Sequence, residues 1–322
     1  MDLSFRSNKM GCDFHLVLGG AEEQAMIDAS VEAWEMLDRL DAMLSHYKPK
    51  SEVSDLNARA GHMPVLVSPE LLDLILYARD MWILTDGALD ITVGPLSKAW
   101  GFFSGDLGEP PPGTIEAARA ASGFQRVSID AEQRLVGFDR SGVEINFAAL
   151  GKGYALDRMA ELLRSRLIPS AFASAGGSSA YGYGRTEGWG VRLNDPEDER
   201  RELTRLHLRD EGLSTSGPSQ QSIVVGGVRR SHLIDPRTAE PSTSPITATV
   251  VAPTALEAEA LSTAVAVSVA PASVPDWLPR YLERAKDVQV FLAWREPGRT
   301  LLVQLSTDRQ GALARTEKEF PI

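Results

Sequence analysis

The chain has 322 residues, 43% of them hydrophobic and 24% charged, which suits a folded globular protein. A formal charge of −11 and a pI near 5.1 argue against a nucleic-acid surface and against general attraction to anionic membranes, so an anionic ligand needs a local cation. The single cysteine, Cys12, excludes an internal disulfide framework and a multi-cysteine metal cluster, and reads as a small buried side chain.

The first ten residues lack the apolar core of a signal peptide, and no run is long enough to span a bilayer, so the sequence reads as cytoplasmic without membrane insertion. A first strand is predicted through Phe14 to Leu18, ending at Gly19-Gly20. Ile27, Val31, Trp34, Leu37, Leu40 and Leu44 recur at three- and four-residue steps and predict one long helix with an apolar stripe. Ser68-Pro69, a cap residue followed by proline at the first helical position, opens a second helix running to about Trp82. Asp106 to Gly113, with three consecutive prolines, reads as a surface loop.

The stretch Asn146 to Asp157 reads as the end of a strand, a small-residue turn and a helix start. Gly151 and Gly153 let the backbone approach a ligand, the unpaired N–H groups of a helix start favour an anion, and Lys152 adds a mobile positive charge. Such a turn suits a phosphate, although the Walker A spacing is absent; a plain strand–helix connection is the alternative. Beyond it, Ala171 to Ala175 forms a small-residue strand closed by Gly176-Gly177. Ser222–Val225 and Val228–Ile234 flank Gly226-Gly227 as a hairpin. A strand at Thr247–Ala252 leads into a helix carrying a capping box, Thr254 with Glu257. Val288–Trp294 and Leu301–Leu305 are closing strands. Strands, hairpins and helices without steady alternation predict an α+β fold, and no composition break or repeat divides residues 1–322, which read as a single domain with an antiparallel-rich sheet and packed helices.

Three constellations carry chemistry. Glu259 and Thr263 stand four residues apart, on one helix face, and together offer hard oxygen ligands suited to Mg²⁺. An ordinary solvated glutamate is the alternative, but the small and apolar run from Ala258 to Val267 suggests a buried helix whose carboxylate needs a partner. In Ser231 to Thr238, His232 follows a strand and precedes an Asp235-Pro236 turn; it can accept a proton from an attacking hydroxyl, or simply hold the turn. In Gly87 to Phe102, Asp90 is the one acid, able to bind a ligand N–H or ribose or to cap the turn. Tyr47, in the polar loop Ser45 to Asn57, can stack on a planar ring or pack on the surface.

In their order along the chain these segments resemble the FAD:protein FMN transferases of the ApbE type. The resemblance rests on Met10-Gly11-Cys12, Ser45 to Asn57, Gly87 to Phe102, Asn146 to Asp157, Gly176-Gly177, Ser214 to Gly217, Ser231 to Thr238 and Ala258 to Ala264, nearly the whole chain. It implies FAD contacts at Met10, Tyr47, Ala88, Leu89, Asp90, Asn146, Lys152 and Leu233. It also implies an Mg²⁺ site from the Ala149 carbonyl and the Glu259 and Thr263 side chains. The implied reaction is attack by a threonine hydroxyl of an acceptor protein on the FMN-side phosphorus of FAD, with AMP leaving and His232 as candidate proton acceptor.

The chain departs from the family pattern at several points. Glu259 stands where the family has aspartate, one methylene longer than a metal bond of ~2.1 Å readily tolerates. Asn146 replaces an aspartate before the turn, Ser178 replaces one after Gly-Gly, and Ala239 replaces a glycine after Pro-Arg-Thr. Two further functions therefore stand beside transfer. One is a non-catalytic FAD carrier or sensor; the other is an Mg²⁺-dependent FAD pyrophosphatase in which water replaces the threonine.

Overall fold

The computed structural model describes residues 1–102, 110–218, 222–225, 227–270, 273–285, 287–307 and 313–322. Its contacts gather into two compact units, residues 1–40, 150–219 and 245–322 in the first and residues 41–149 and 220–244 in the second. Both units are assembled from separate stretches of chain, so no single composition boundary marks either of them. The fold is α+β. No helix among the described residues is long and apolar enough to cross a membrane.

The first unit is built on a nine-stranded antiparallel sheet. The spatial order is Asp2–Lys9, Cys12–Gly19, Ser170–Ala175, Ser179–Tyr183, Glu211–Ser216, Thr247–Ala252, Gln289–Glu296, Arg299–Thr307 and Leu313–Pro321. The predicted strand at Phe14–Leu18 is thus the middle of Cys12–Gly19, and its hairpin partner Asp2–Lys9 has Leu3 and Phe5 as its apolar residues. Lys9 pairs with Cys12 across the turn, where Met10 and Gly11 hold φ of +50° and +73°. Two positive φ values are what a two-residue hairpin turn with the right twist requires, and methionine takes that conformation only under strain. Cys12 itself is half-buried, not fully buried as expected.

Two helices of this unit, Gly151–Ser165 and Ala255–Ser268, pack on each other, and the second lies against strands Glu211–Ser216 and Thr247–Ala252. Their backbones nearly touch: a Cβ on Gly153 would stand 2.4 Å from the Ala255 carbonyl oxygen. The missing side chain of Gly153 therefore serves helix–helix approach rather than approach to a ligand. Gly153→Ala is expected to cost about 1–3 kcal/mol through overpacking, read as a lower urea midpoint at unchanged slope. The cap of the second helix is half of the predicted box. Thr254 Oγ1 accepts from Glu257 N at 3.1 Å, but the Glu257 carboxylate accepts from Tyr281 Oη at 2.7 Å. Leu193, Leu203, Leu208, Phe291 and Leu302 form a core that includes the ribbon Trp189–Asp195 and Asp198–Leu208.

The long helix is Glu23–Leu44. Leu37, Leu40 and Leu44 are buried as the period predicts, whereas Val31 is 50% exposed and lies off the stripe.

In the second unit, Ser68 Oγ accepts from Leu71 N at 3.3 Å and caps Pro69–Leu84, two residues longer than predicted. The hairpin pairs Val225 with Val228; Gly226 lies outside the described residues. The predicted strand Val228–Ile234 stops at Ser231, because Ile234-Asp235 pairs instead with Glu240-Pro241. Of the predicted loop, residues 106–109 lie outside the described residues, and Pro110 to Gly113 carries no strand or helix. Leu96, Trp100, Ala118, Ile234 and Ala239 form a core. Ala239 holds a φ of +64° there and gives its carbonyl to Trp100 Nε1 at 3.0 Å, a conformation that favours the glycine the family pattern carries.

Candidate functional site

An anion does sit at the start of the helix Gly151–Ser165, and it is the protein's own. Glu259, only 2% exposed, accepts the Gly153 N–H on Oε2 at 2.6 Å and faces Lys152 Nζ at 2.6 Å through Oε1. The backbone donor, the helix start and the lysine form the cradle expected of this turn. The contact between Oε1 and Lys152 is a close ion pair. Burial acts to lower the Lys152 pKa and the Glu259 carboxylate acts to raise it; the net direction is up, which keeps the ammonium charged.

Thr263 is one turn along the same helix. Its Oγ1 lies 3.4 Å from Ser216 Oγ, which also lies 3.0 Å from Ser262 Oγ. A buried carboxylate and a hydroxyl one turn away are hard donors of the kind Mg²⁺ takes, so the residues present in this unit fit that ion. Among the described residues no group of three or more His, Cys, Asp and Glu comes together. Cys12 stands beside this cluster: its Cβ and Lys152 Cδ are each 3.5 Å from where a Gly176 Cβ would lie. Burial raises the Cys12 pKa, an effect the Lys152 charge opposes but does not cancel, and this keeps the group a thiol.

Asp157, on the lysine-bearing helix, ties the two helices together. Its Oδ1 accepts from Ala255 N at 2.7 Å and its Oδ2 from Leu256 N at 2.9 Å, satisfying the first two N–H groups of the helix that carries Glu259. Burial pushes the Asp157 pKa from 3.8 up to about 6, against the two N–H bonds that pull it down. A raised carboxyl pKa means that the folded state binds more protons than the unfolded state between those values. Stability is therefore fully present below about pH 4 and falls as pH rises toward 6, by roughly 3 kcal/mol in the limit. Asp157→Asn is expected to remove that slope in urea unfolding across pH 4 to 7. An unchanged slope would assign it to other groups.

The other candidate residues lie in the second unit, Met10 excepted. Asp90 is 7% exposed and holds its turn, with Oδ1 accepting from Thr92 N at 2.8 Å and Thr92 Oγ1 at 2.6 Å, and Oδ2 from Phe124 N at 3.0 Å. Burial raises its pKa and these bonds oppose the rise. Ala88 and Leu89 are buried in the core, which leaves their backbone as the part able to meet a ligand. Asn146 joins the same region: its N–H donates to Ile91 O at 2.7 Å and its Oδ1 accepts from Ala148 N at 2.8 Å.

Residues 143–147 are not the strand end that was expected. Asn57 takes the place of a neighbouring strand, accepting from Ile145 N at 2.8 Å and donating to Ile145 O at 2.9 Å. Ala149 follows directly in a turn. Tyr47 is 69% exposed, its ring centroid 3.8 Å from that of His46. His232 is half-buried between Ser231 and Leu233, whose backbones are both bonded to Ser242. A cavity of about 780 Å³, the size of a small-molecule site, opens within this unit beside Trp82, Gly87, Asp90, Arg119, Arg126 and Arg237.

Residues 10–290 match the model of the ApbE family. The FAD:protein FMN transferase of Salmonella typhimurium is 31% identical over 262 residues, covering 79% of this chain and 75% of its own length. Its counterpart from Escherichia coli K12 is 30% identical over the same coverage. Among solved structures, the ApbE protein of Thermotoga maritima superposes with a TM-score of 0.82 at 26% identity, covering 98% of this chain and 97% of that one. The flavin transferase ApbE of Vibrio cholerae gives 0.78 at 23% identity, covering 99% and 97%, and supports the fold. Fold, motif order and sequence agree, and the chain belongs to the ApbE family.

Proposed function

We propose that this chain is an FAD:protein FMN transferase that moves FMN from FAD to a threonine of an acceptor protein and releases AMP. The observation that carries the reading is the Lys152–Gly153–Glu259 cradle with Thr263 beside it, a cation, a backbone donor and hard oxygens at one helix start. The relatives named as such enzymes support it. We propose further that residues 1–322 act as one transferase domain.

The proposed FAD contacts are Met10 and Lys152 in the first unit and Tyr47, Ala88, Leu89, Asp90, Asn146 and Leu233 in the second. Glu259, Thr263 and the Ala149 carbonyl are the proposed holders of Mg²⁺, which would neutralise phosphate charge when bound. Lys152 supplies a charge-assisted contact to the pyrophosphate. The acceptor threonine Oγ forms a bond to the FMN-side phosphorus, the phosphorus–oxygen bond to AMP breaks, and His232 takes the hydroxyl proton. Backbone bonds to Ser242 on both sides of His232 hold the segment that carries it.

The test is incubation with FAD and Mg²⁺, with and without a threonine-containing acceptor peptide, following AMP, free FMN and peptide mass. Transfer gives AMP and a peptide heavier by one FMN moiety. Equal yields of AMP and free FMN, regardless of peptide, would instead make the protein a pyrophosphatase. Tight FAD binding with neither product would make it a carrier.

A further inference from the structure

A carboxylate buried as deeply as Glu259, at 2% exposure, needs a cation. Among the described residues its ion-pair partner is Lys152, 2.6 Å from Oε1, while Oε2 is held separately by the Gly153 N–H at 2.6 Å. The two partners differ in freedom. Gly153 N–H belongs to a helix whose backbone is pressed against Ala255 and tied to it again through Asp157. Lys152 carries its charge on a flexible four-carbon stem, and 28% of its side chain is exposed.

We propose that the Lys152 ammonium is a resident cation at Glu259 that a divalent metal ion displaces, releasing the lysine to the anionic ligand. The inference rests on the reading of Glu259 and Thr263 as metal ligands. A metal ion at ~2.1 Å from Oε1 and an ammonium at 2.6 Å from the same oxygen repel each other, and the partner free to leave is Lys152. Gly153 N–H stays on Oε2 and keeps the carboxylate aimed, with Thr263 Oγ1 on the same helix face as the next oxygen. One carboxylate thus exchanges a protein cation for a metal. The lysine becomes available to an anion only when the metal arrives, and the two ligands favour each other reciprocally.

The test is Mn²⁺ binding to the full chain without FAD, followed by the electron paramagnetic resonance signal of the free ion. Lys152→Met removes the competitor and is expected to tighten Mn²⁺ on the order of tenfold, within the usual range of such couplings. Glu259→Gln is expected to abolish binding. Lys152→Met also leaves Glu259 without its cation, so thermal unfolding is measured alongside, and Mn²⁺ should raise the melting temperature of this variant more than that of the wild type. Equal or weaker Mn²⁺ affinity in Lys152→Met, with loss in Glu259→Gln, overturns the displacement and leaves the metal reading standing. Unchanged Mn²⁺ binding in Glu259→Gln, or no binding by any form, overturns both.

Discussion

Lys152→Ala is expected to lower the free energy of unfolding by about 3–5 kcal/mol, because it leaves a carboxylate buried with no cation. The same pair broken from the other side costs less. In Glu259→Gln the lysine, already 28% exposed, can turn its ammonium to water. The double variant Lys152→Ala with Glu259→Gln is expected to recover most of the loss, since no unpaired charge remains. Urea unfolding of the wild type, both single variants and the double variant gives the coupling directly. A Lys152→Ala protein as stable as the wild type would show that the pair is solvated and that the cradle does not depend on it. The size of the effect also governs how ligand binding is measured. Any fall in FAD affinity in Lys152→Ala mixes loss of a charge with loss of a scaffold, so Lys152→Arg, which keeps the charge, belongs beside it.

The parts of the fold legible in the sequence are those set by local chemistry. The helix Glu23–Leu44 announces itself by period, Pro69–Leu84 by its Ser-Pro start, and the 222–231 hairpin by its glycine pair. The outermost strands of the sheet, Asp2–Lys9 and Leu313–Pro321, were missed because an edge strand needs few apolar side chains and is protected by charged ones. The ribbon Trp189–Leu208 is mostly polar for a similar reason: Leu193, Leu203 and Leu208, joined by Val191 and Leu206, do the packing, and most of its other positions are charged or polar. At Ile145 the sequence looks like a strand because its backbone is in fact paired, but to a side chain, that of Asn57.

The site shows the same division. Charge and turn chemistry alone identify the start at Gly151–Gly153 as a place for an anion, and burial alone requires a partner for Glu259. That these two needs meet in one contact, 106 residues apart between Gly153 and Glu259, is a tertiary fact. The signal was present as complementarity: a buried carboxylate that needs a partner, and a lysine at a helix start that favours an anion. Asp157 gave no such sign, because a carboxylate in a helix middle looks solvated until the N-terminus of a neighbouring helix is brought to it.

Glu259→Gln is expected to lower Mg²⁺-dependent AMP release by more than the roughly 100-fold that loss of an outer partner of a metal ligand costs. Glutamine keeps the length of the side chain and an oxygen for the Gly153 N–H, so the fold of the two helices should survive while the charge that draws the metal is gone. Glu259→Asp separates charge from reach. It keeps the carboxylate but withdraws it by one methylene from both Lys152 Nζ and Gly153 N, each now at 2.6 Å. The aspartate variant should therefore lose stability yet retain Mg²⁺-dependent release, since it restores the ligand length of the family pattern and frees Lys152. Unfolding free energy and AMP release are to be measured on the same preparations. If the glutamine variant keeps wild-type Mg²⁺ dependence, Glu259 is a counter-ion for Lys152 and nothing more. If the aspartate variant loses release while the fold holds, the pocket has adapted to the longer side chain, and the cradle at Gly153 sets the position from which the carboxylate must act.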